Sequence, residues 1–349
     1  MSFQKRIEAG KEGKFKGLAN GFDRMNKYVY GVQRAYYSLY GGLSGAAKTT
    51  LVDFKLLNAI RDADRQKIPL DLFYYSFEID ETTKKCNWLS NQIYTKHGKV
   101  IPPETIAGLG ENRLTVEESL LVEKETPYIE ALFKRIKFRF EVNNPVGIRK
   151  ELMEFALTNG EFLYEEYIHN GETKKKIVSY KPYKEDHYVL IAIDHIALSQ
   201  VINGLTLKEN IDMLSGIFIW FRNICGYSFF VVQQFNQGLN SVDRMKFKGV
   251  DLSPQQNDFK DSTNPYTDAD CVYGIMNAWK MDLQEYLGYD LTILKEKFRA
   301  IKIIKNRKGR DNLAFGLYFE PTSGTFRELP LSSDVEKMNK VYEYLKSIK

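Results

Sequence analysis

Short unbroken apolar runs alternate with longer stretches whose apolar residues recur at helical spacing. Val189-Leu-Ile-Ala-Ile-Asp194 has no polar position until the acid that ends it. That is the pattern of a parallel strand covered on both faces. Leu72–Phe77, Ser228–Phe235 and Cys271–Met276 read the same way, and Arg34–Tyr40 predicts a first strand rich in aromatic residues. Helical spacing predicts helices over 51–60, 80–97, 115–137, 146–158 and 207–225, with a short strand at Phe138–Val142. Residues 164–180 break this rhythm. They alternate around Asn170-Gly171, a strong hairpin signal, so 160–188 is expected to be an inserted surface hairpin, made basic by Lys174, Lys175 and Lys176. Residues 237–265 are polar and lack a period, which predicts a long loop. Ile301–Lys305 and Leu313–Phe319 predict a second hairpin around 308–311, and Asp334–Lys349 a terminal helix. Strands alternating with helices make an α/β doubly wound sheet, here closed by antiparallel strands. The expected organisation is an arm over 1–16, one domain over 17–330 and a C-terminal helix over 331–349.

The chemistry gathers at Gly41-Gly-Leu-Ser-Gly-Ala-Ala-Lys-Thr-Thr50, between the first strand and the helix after it. The stretch is close to the phosphate-binding pattern G-x-x-x-x-G-K-[ST], with Gly42 at the first glycine, Lys48 at the lysine and Thr49 at the hydroxyl position. A strand, a glycine-rich turn and a helix N-terminus aim backbone N–H groups at phosphates. Gly42, Ser44, Gly45, Ala46, Ala47, Lys48, Thr49 and Thr50 are the candidate ATP-binding residues. Lys48 is expected to neutralise the β- and γ-phosphates and Thr49 to hold Mg²⁺. Ala47 stands where the pattern has glycine, and its methyl group is expected to crowd the approach to a phosphate oxygen.

Composition narrows the picture without redirecting it. The chain has 349 residues, a net charge of +5, and 43% hydrophobic residues, ample for a buried core. So mild a charge permits nucleic-acid binding without requiring it. Cys86, Cys225 and Cys271 are far apart, without metal-ligand spacing, and read as reduced thiols of a cytoplasmic protein. The start, Met1-Ser-Phe-Gln-Lys-Arg, is no signal peptide, and no apolar run has membrane-spanning length.

The order of motifs resembles the RecA-like P-loop ATPase domain of DnaB-type replicative helicases, from about Gly17 to about Leu329 with 160–188 as an insertion. Gly21-Phe-Asp-Arg-Met-Asn26 is similar to that family's lead-in. Tyr75-Ser-Phe-Glu78 resembles its strand ending in S-L-E, and Ile193-Asp194 its Walker B element. Gln233-Gln-Phe-Asn-Gln237 resembles S-Q-L-N-R with changed ends, Thr267-Asp-Ala-Asp270 resembles Q-D-A-D, and Lys305-Asn-Arg-Lys-Gly309 resembles K-Q-R-N-G. The resemblance implies a catalytic glutamate at Glu78 and an intersubunit finger in Lys305 and Arg307. It also implies a ring of subunits, with a hexamer expected, and a loop lining a central channel. In this chain that loop holds Arg244, Lys246 and Lys248 around Phe247 as candidate contacts to single-stranded DNA. The family usually has an N-terminal domain that engages primase and helps close the ring. Here about sixteen residues precede the ATPase domain, so a compact version of viral or mobile-element type, with a separate loader or primase, is expected.

Residue chemistry agrees with these assignments. Asp194 ends a buried strand beside the phosphate loop, where a carboxylate can orient hydrated Mg²⁺. Glu78 leaves the neighbouring strand at the same rim of the sheet, placed to polarise an attacking water. Gln234 ends another buried strand, where its amide can sense the γ-phosphate. Lys305 and Arg307 are two apart, so on a strand they share a face, and two cations there call for a partner anion, which the resemblance implies is ATP on the neighbouring subunit. Two function classes stay open. One is a ring-forming ATP hydrolase that moves on single-stranded DNA and unwinds duplex during replication. The other is a RecA-like nucleotide-binding assembly or recombination protein with weak or no helicase activity.

Overall fold

In the computed structural model, which describes residues 3–11, 13, 16–141, 144–236 and 252–347, a nine-stranded sheet divides the chain into two helical layers. In chain order the first half holds α1 (Phe3–Lys11), α2 (Asn26–Val29), β1 (Tyr37–Gly42), α3 (Lys48–Gln66), β2 (Leu70–Ser76) and α4 (Glu81–His97). Next come α5 (Pro103–Ile106), α6 (Val116–Arg135), β3 (Ile136–Arg139), α7 (Pro145–Asn159), β4 (Gly160–His169), β5 (Glu172–Pro182), β6 (Tyr188–Asp194) and α8 (Leu207–Cys225). The rest contains β7 (Ser228–Gln234), α9 (Asn264–Asp268), β8 (Cys271–Met276), β9 (Glu285–Tyr286), β10 (Tyr289–Asp290), α10 (Leu291–Leu294), β11 (Phe298–Asn306), β12 (Leu313–Glu320), β13 (Thr325–Glu328) and α11 (Val335–Ser347).

The sheet order is β13-β12-β11-β8-β1-β7-β6-β2-β3. The six strands from β8 to β3 run parallel, whereas β11, β12 and β13 pair antiparallel at one edge. This is the doubly wound sheet closed by antiparallel strands that the apolar pattern predicts. Its faces follow from the two-residue period of a strand. Tyr40, Phe230 and Val232 turn to the layer of α3, α4 and α6, where Leu56, Trp88 and Leu132 cover them. Leu39, Phe229 and Val231 turn to α7 and α8, against Leu152, Leu214 and Phe218. Burying a side chain such as Phe218 contributes roughly 1.5–3 kcal/mol. Because both faces are covered, the central strands carry continuous apolar runs.

Several boundaries differ from the sequence reading. The first strand begins at Tyr37, not Arg34, because Ala35 takes a left-handed turn (φ 52°) and the Tyr37 N–H is held by the Asp270 carboxylate at 2.9 Å. It continues through Gly41 and Gly42, which pair with Gln233 and Gln234. Gly41 is a glycine of close approach, since a Cβ there would run into the rings of Phe235 and Phe259. The region expected to be one loop over 237–265 contains a short 3-10 turn at Gln256–Asp258 and ends in the first residues of α9; residues 237–251 lie outside the described residues. β4 and β5 form an antiparallel hairpin turning at Asn170-Gly171. Its root packs on the body through the Tyr180 hydroxyl, which donates to the Ala156 carbonyl at 2.8 Å, and through Phe162 against Trp220. Its far half, with Tyr164, Tyr167 and Ile168, is exposed. Among the described residues, no helix is long and apolar enough to cross a membrane.

Candidate nucleotide-binding site

β1, β2, β6 and β7 all end at one rim of the sheet, and the candidate residues sit on or just beyond those ends. After Gly42 the chain turns through Gly45 (φ 75°) and Ala47 (φ 72°), both left-handed, before α3 begins at Lys48. Ala47 precedes the helix and offers it no side-chain cap. The first-turn N–H groups of α3, which have no intrahelical acceptor, therefore remain available to an anion. Ser44 and Gly45 are exposed at the loop's crest, and Ala46 is buried beneath it. The left-handed backbone at Ala47 gives the pattern's glycine a conformational reason besides the steric one. An L-residue there costs about 1–2 kcal/mol relative to its ordinary conformation.

Lys48 is buried, and its Nζ donates to the Leu43 carbonyl at 2.9 Å, so the ammonium lies inside the curl of the loop. Burial lowers its pKa, while the nearby Asp194 and Glu78 carboxylates act in the opposite direction. The Thr49 hydroxyl donates to Asp194 Oδ1 at 2.9 Å. β7 lies between β1 and β6, and Thr49, in the first turn of α3, reaches Asp194 across it. Asp194 is 1% exposed, and its Oδ2 has no hydrogen-bond partner. Burial, first, and the neighbouring Asp53 and Glu78 raise its pKa to about 6, against Lys84 and the Thr49 hydroxyl, which lower it. A buried carboxylate oxygen without a partner is costly unless a cation meets it. Thr49 and Asp194 thus fit Mg²⁺, which takes one or two protein oxygens and completes its shell with water and phosphate. Among the described residues no group of three or more His, Cys, Asp or Glu gathers as a metal site.

Glu78 follows the end of β2, whose Ser76 is the register partner of Asp194. Its carboxylate lies 3.3 Å from Nε2 of His195, a buried ring whose Nδ1 has no partner. Burial lowers the His195 pKa, and Glu78 opposes that shift. The sequence reading missed His195; its only signal was its place directly after Asp194. Gln234 shares the α3 face of β7 with Phe230 and Val232 and is opposite Gly42. Gln233 points the other way and fastens the segment after 251, its Nε2 donating to the Lys260 and Ser262 carbonyls at 2.5 and 2.8 Å.

Lys305 and Arg307 both have hydrogen-bond partners within their own chain. Lys305 Nζ donates to the Tyr266 and Thr267 carbonyls at 2.9 and 2.7 Å. Arg307 donates to the Thr267 carbonyl at 2.7 Å and lies 3.8 Å from the Asp270 carboxylate. The carbonyl end of α9, with its partial negative charge, takes the place of the missing anion. Arg307 is still 45% exposed. Arg244, Lys246 and Lys248 lie outside the described residues. Beyond Thr49 and Thr50 a cavity of about 430 Å³ opens between α3, α4 and the turn at 321–324, with Asn87, Trp88 and Asn91 along its wall.

No protein-family model matches the chain, and no curated protein matches it in sequence. Its fold does match solved structures. One, described as an ATPase domain, superposes with a TM-score of 0.66 at 14% identity, over 94% of this chain and 99% of that one. A DnaB-like replicative helicase, described with its interactions with primase, superposes with a TM-score of 0.65 at 14% identity, over 92% of this chain. The present chain spans 64% of that helicase's length. Identity this low establishes architecture and nothing finer: the chain is folded as the RecA-like ATPase domain of DnaB-type replicative helicases.

Proposed function

We propose that the chain is an ATP hydrolase that assembles as a homo-oligomeric ring, a hexamer by analogy, and moves along single-stranded DNA to unwind duplex during replication. The carrying observation is the Thr49–Asp194 contact, with a second Asp194 oxygen left unpartnered and buried beside Lys48 and Glu78. In this reading the loop from Gly42 to Thr50 cradles the phosphates, with Lys48 turning from the Leu43 carbonyl to the β- and γ-phosphate oxygens. Mg²⁺ held by Thr49 and Asp194 supplies charge neutralisation at those oxygens. Glu78, oriented by His195, accepts a proton from the attacking water. Gln234 senses the γ-phosphate from the end of β7, and the cavity beyond Thr50 takes the ribose and base. Lys305 and Arg307 leave α9 to reach the nucleotide of the adjoining subunit. Arg244, Lys246 and Lys248 contact the DNA backbone. A separate loader or primase, a phage origin and a cytoplasmic location, in the cell or an infected host, belong to the same proposal.

A steady-state ATPase assay with and without single-stranded DNA tests this, with Lys48→Ala as the inactive control. Turnover that rises with DNA and vanishes in Lys48→Ala is expected. Absence of turnover in the natural chain under both conditions overturns the motor. It favours the second reading, a RecA-like assembly or recombination protein that holds nucleotide weakly. Two observations speak for that reading: the left-handed Ala47, and an Arg307 already bonded within its own chain.

A further inference from the structure

Lys84 is the most deeply buried charged side chain near the site, at 0% exposure. It lies on α4, six residues after Glu78. Its Nζ donates to Asp53 Oδ2 at 2.9 Å and to the Tyr74 hydroxyl at 2.9 Å, and it lies 4.5 Å from the centre of the Tyr74 ring. The Tyr74 hydroxyl in turn donates to Asp53 Oδ1 at 2.7 Å. Three buried polar groups thus close a triangle in which each bonds the other two. Every corner stands on a different element of the site. Asp53 is on α3, one turn after Thr49 and on the same helix face. Tyr74 is on β2, two residues before Ser76. Lys84 is on α4, the helix that Glu78 leads into.

The turn carrying Glu78 is pinned at its other end as well. Ser76 Oγ donates to the Ile79 carbonyl at 2.6 Å, and Asp80 caps α4 by accepting the Thr83 N–H at 3.0 Å. Glu78 itself is 41% exposed and is placed by these flanking contacts and His195. Withdrawing an ammonium and a carboxylate from water is costly, and an apolar pair of similar volume often serves stability as well or better. What an apolar pair cannot supply is direction, because an ion pair with short bonds fixes distance and angle whereas packed methylenes slide.

We propose that Lys84, Asp53 and Tyr74 form a positioning strut that locks α4 to α3 and so sets the Glu78 carboxylate relative to the phosphate loop. None of the three touches the reacting atoms; they act through Glu78 and the loop. The inference rests on the nucleotide-site reading above. Hydrolysis is sensitive to such placement, a shift near 1 Å costing about 10²-fold in rate, whereas nucleotide affinity depends mainly on the loop.

The double variant Lys84→Met with Asp53→Leu removes both charges while keeping the volume filled. It is expected to fold with a melting temperature at or above that of the natural chain. At saturating nucleotide it should hydrolyse ATP about 10–100-fold more slowly. Independently of activity, hydrogen exchange over 78–84 should quicken. Hydrolysis within twofold of the natural chain together with unchanged exchange overturns the strut. If the double variant does not fold, Tyr74→Phe carries the test, since it deletes one hydroxyl and keeps the ion pair. Slower hydrolysis at unchanged affinity supports the strut, and unchanged hydrolysis overturns it. If the natural chain itself does not hydrolyse ATP, the function reading has failed, and the exchange measurement still decides the strut: quicker exchange supports it, and unchanged exchange overturns it.

Discussion

Thr49 Oγ1 and Asp194 Oδ1 stand 2.9 Å apart, although β7 separates β6, which Asp194 ends, from β1, the strand before Thr49. The contact joins the first turn of α3 to the buried end of β6 and leaves the other oxygen of Asp194 unpartnered. It bears on the stability of the protein and, in the proposed function, on the holding of Mg²⁺.

Asp194 should make the nucleotide-free protein less stable as pH rises. Its pKa of about 6 lies above the ordinary carboxyl value near 3.9. A raised folded pKa means that this group's contribution is complete below about pH 4 and lost as pH climbs through about 6. Melting temperatures measured from pH 4 to pH 8 should therefore fall more steeply in the natural chain than in Asp194→Asn. Stabilisation by Mg²⁺ with nucleotide should show the opposite trend, growing over the same window as the carboxylate forms. Identical pH slopes in the two proteins would refute the assignment.

Ala47→Gly should stabilise the chain by about 1 kcal/mol or less. Relief of a left-handed alanine favours the change, and the greater freedom of glycine in the unfolded chain offsets part of it. Nucleotide should bind at least as tightly. A lower melting temperature together with weaker binding would mean that the loop is built around alanine.

Glu78→Gln should bind ATP and hydrolyse it at least about 10²-fold more slowly, because the amide keeps the shape and loses the base. His195→Gln, which can still donate to Glu78, should fall between this variant and the natural chain. Turnover near the natural level in Glu78→Gln would remove Glu78 from the mechanism and His195 with it.

Arg307→Ala should leave nucleotide binding intact and slow hydrolysis by about 10³–10⁵-fold if the side chain reaches a neighbouring subunit. Mixing it with Glu78→Gln should restore part of the activity, since some interfaces then pair an intact Glu78 with an intact Arg307. Basal ATPase without DNA is the readout least sensitive to coupling between sites. A dead variant that mixed rings never rescue would place Arg307 in its own subunit's chemistry, consistent with its bond to Thr267.

Periodicity determined much of this protein. The apolar run 189–194 became β6, the amphipathic stretch 207–225 became α8, and Cys271–Met276 became β8, because a fully covered strand and a one-sided helix leave distinct periods in the residues that must avoid water. The strand–turn–helix around Gly42–Thr50 was legible because its glycines, lysine and threonine are contiguous, so the turn is set by local backbone geometry. Boundaries set by distant groups were not legible. The start of β1 depends on Asp270, and Gly41 is required by Phe235 and Phe259, far along the chain. The sequence placed Asp194 beside the loop; only the tertiary structure showed that the contact crosses β7. It was also the tertiary structure that paired Lys305 and Arg307 with the carbonyl end of α9, placed His195 against Glu78, and closed the triangle of Lys84, Asp53 and Tyr74. In sequence, Lys84 is one more lysine on an amphipathic helix. Its charge acquires meaning when folding withdraws it from water and leaves two particular oxygens to meet it, a pairing decided by strand order and helix packing, not by any neighbour in the chain.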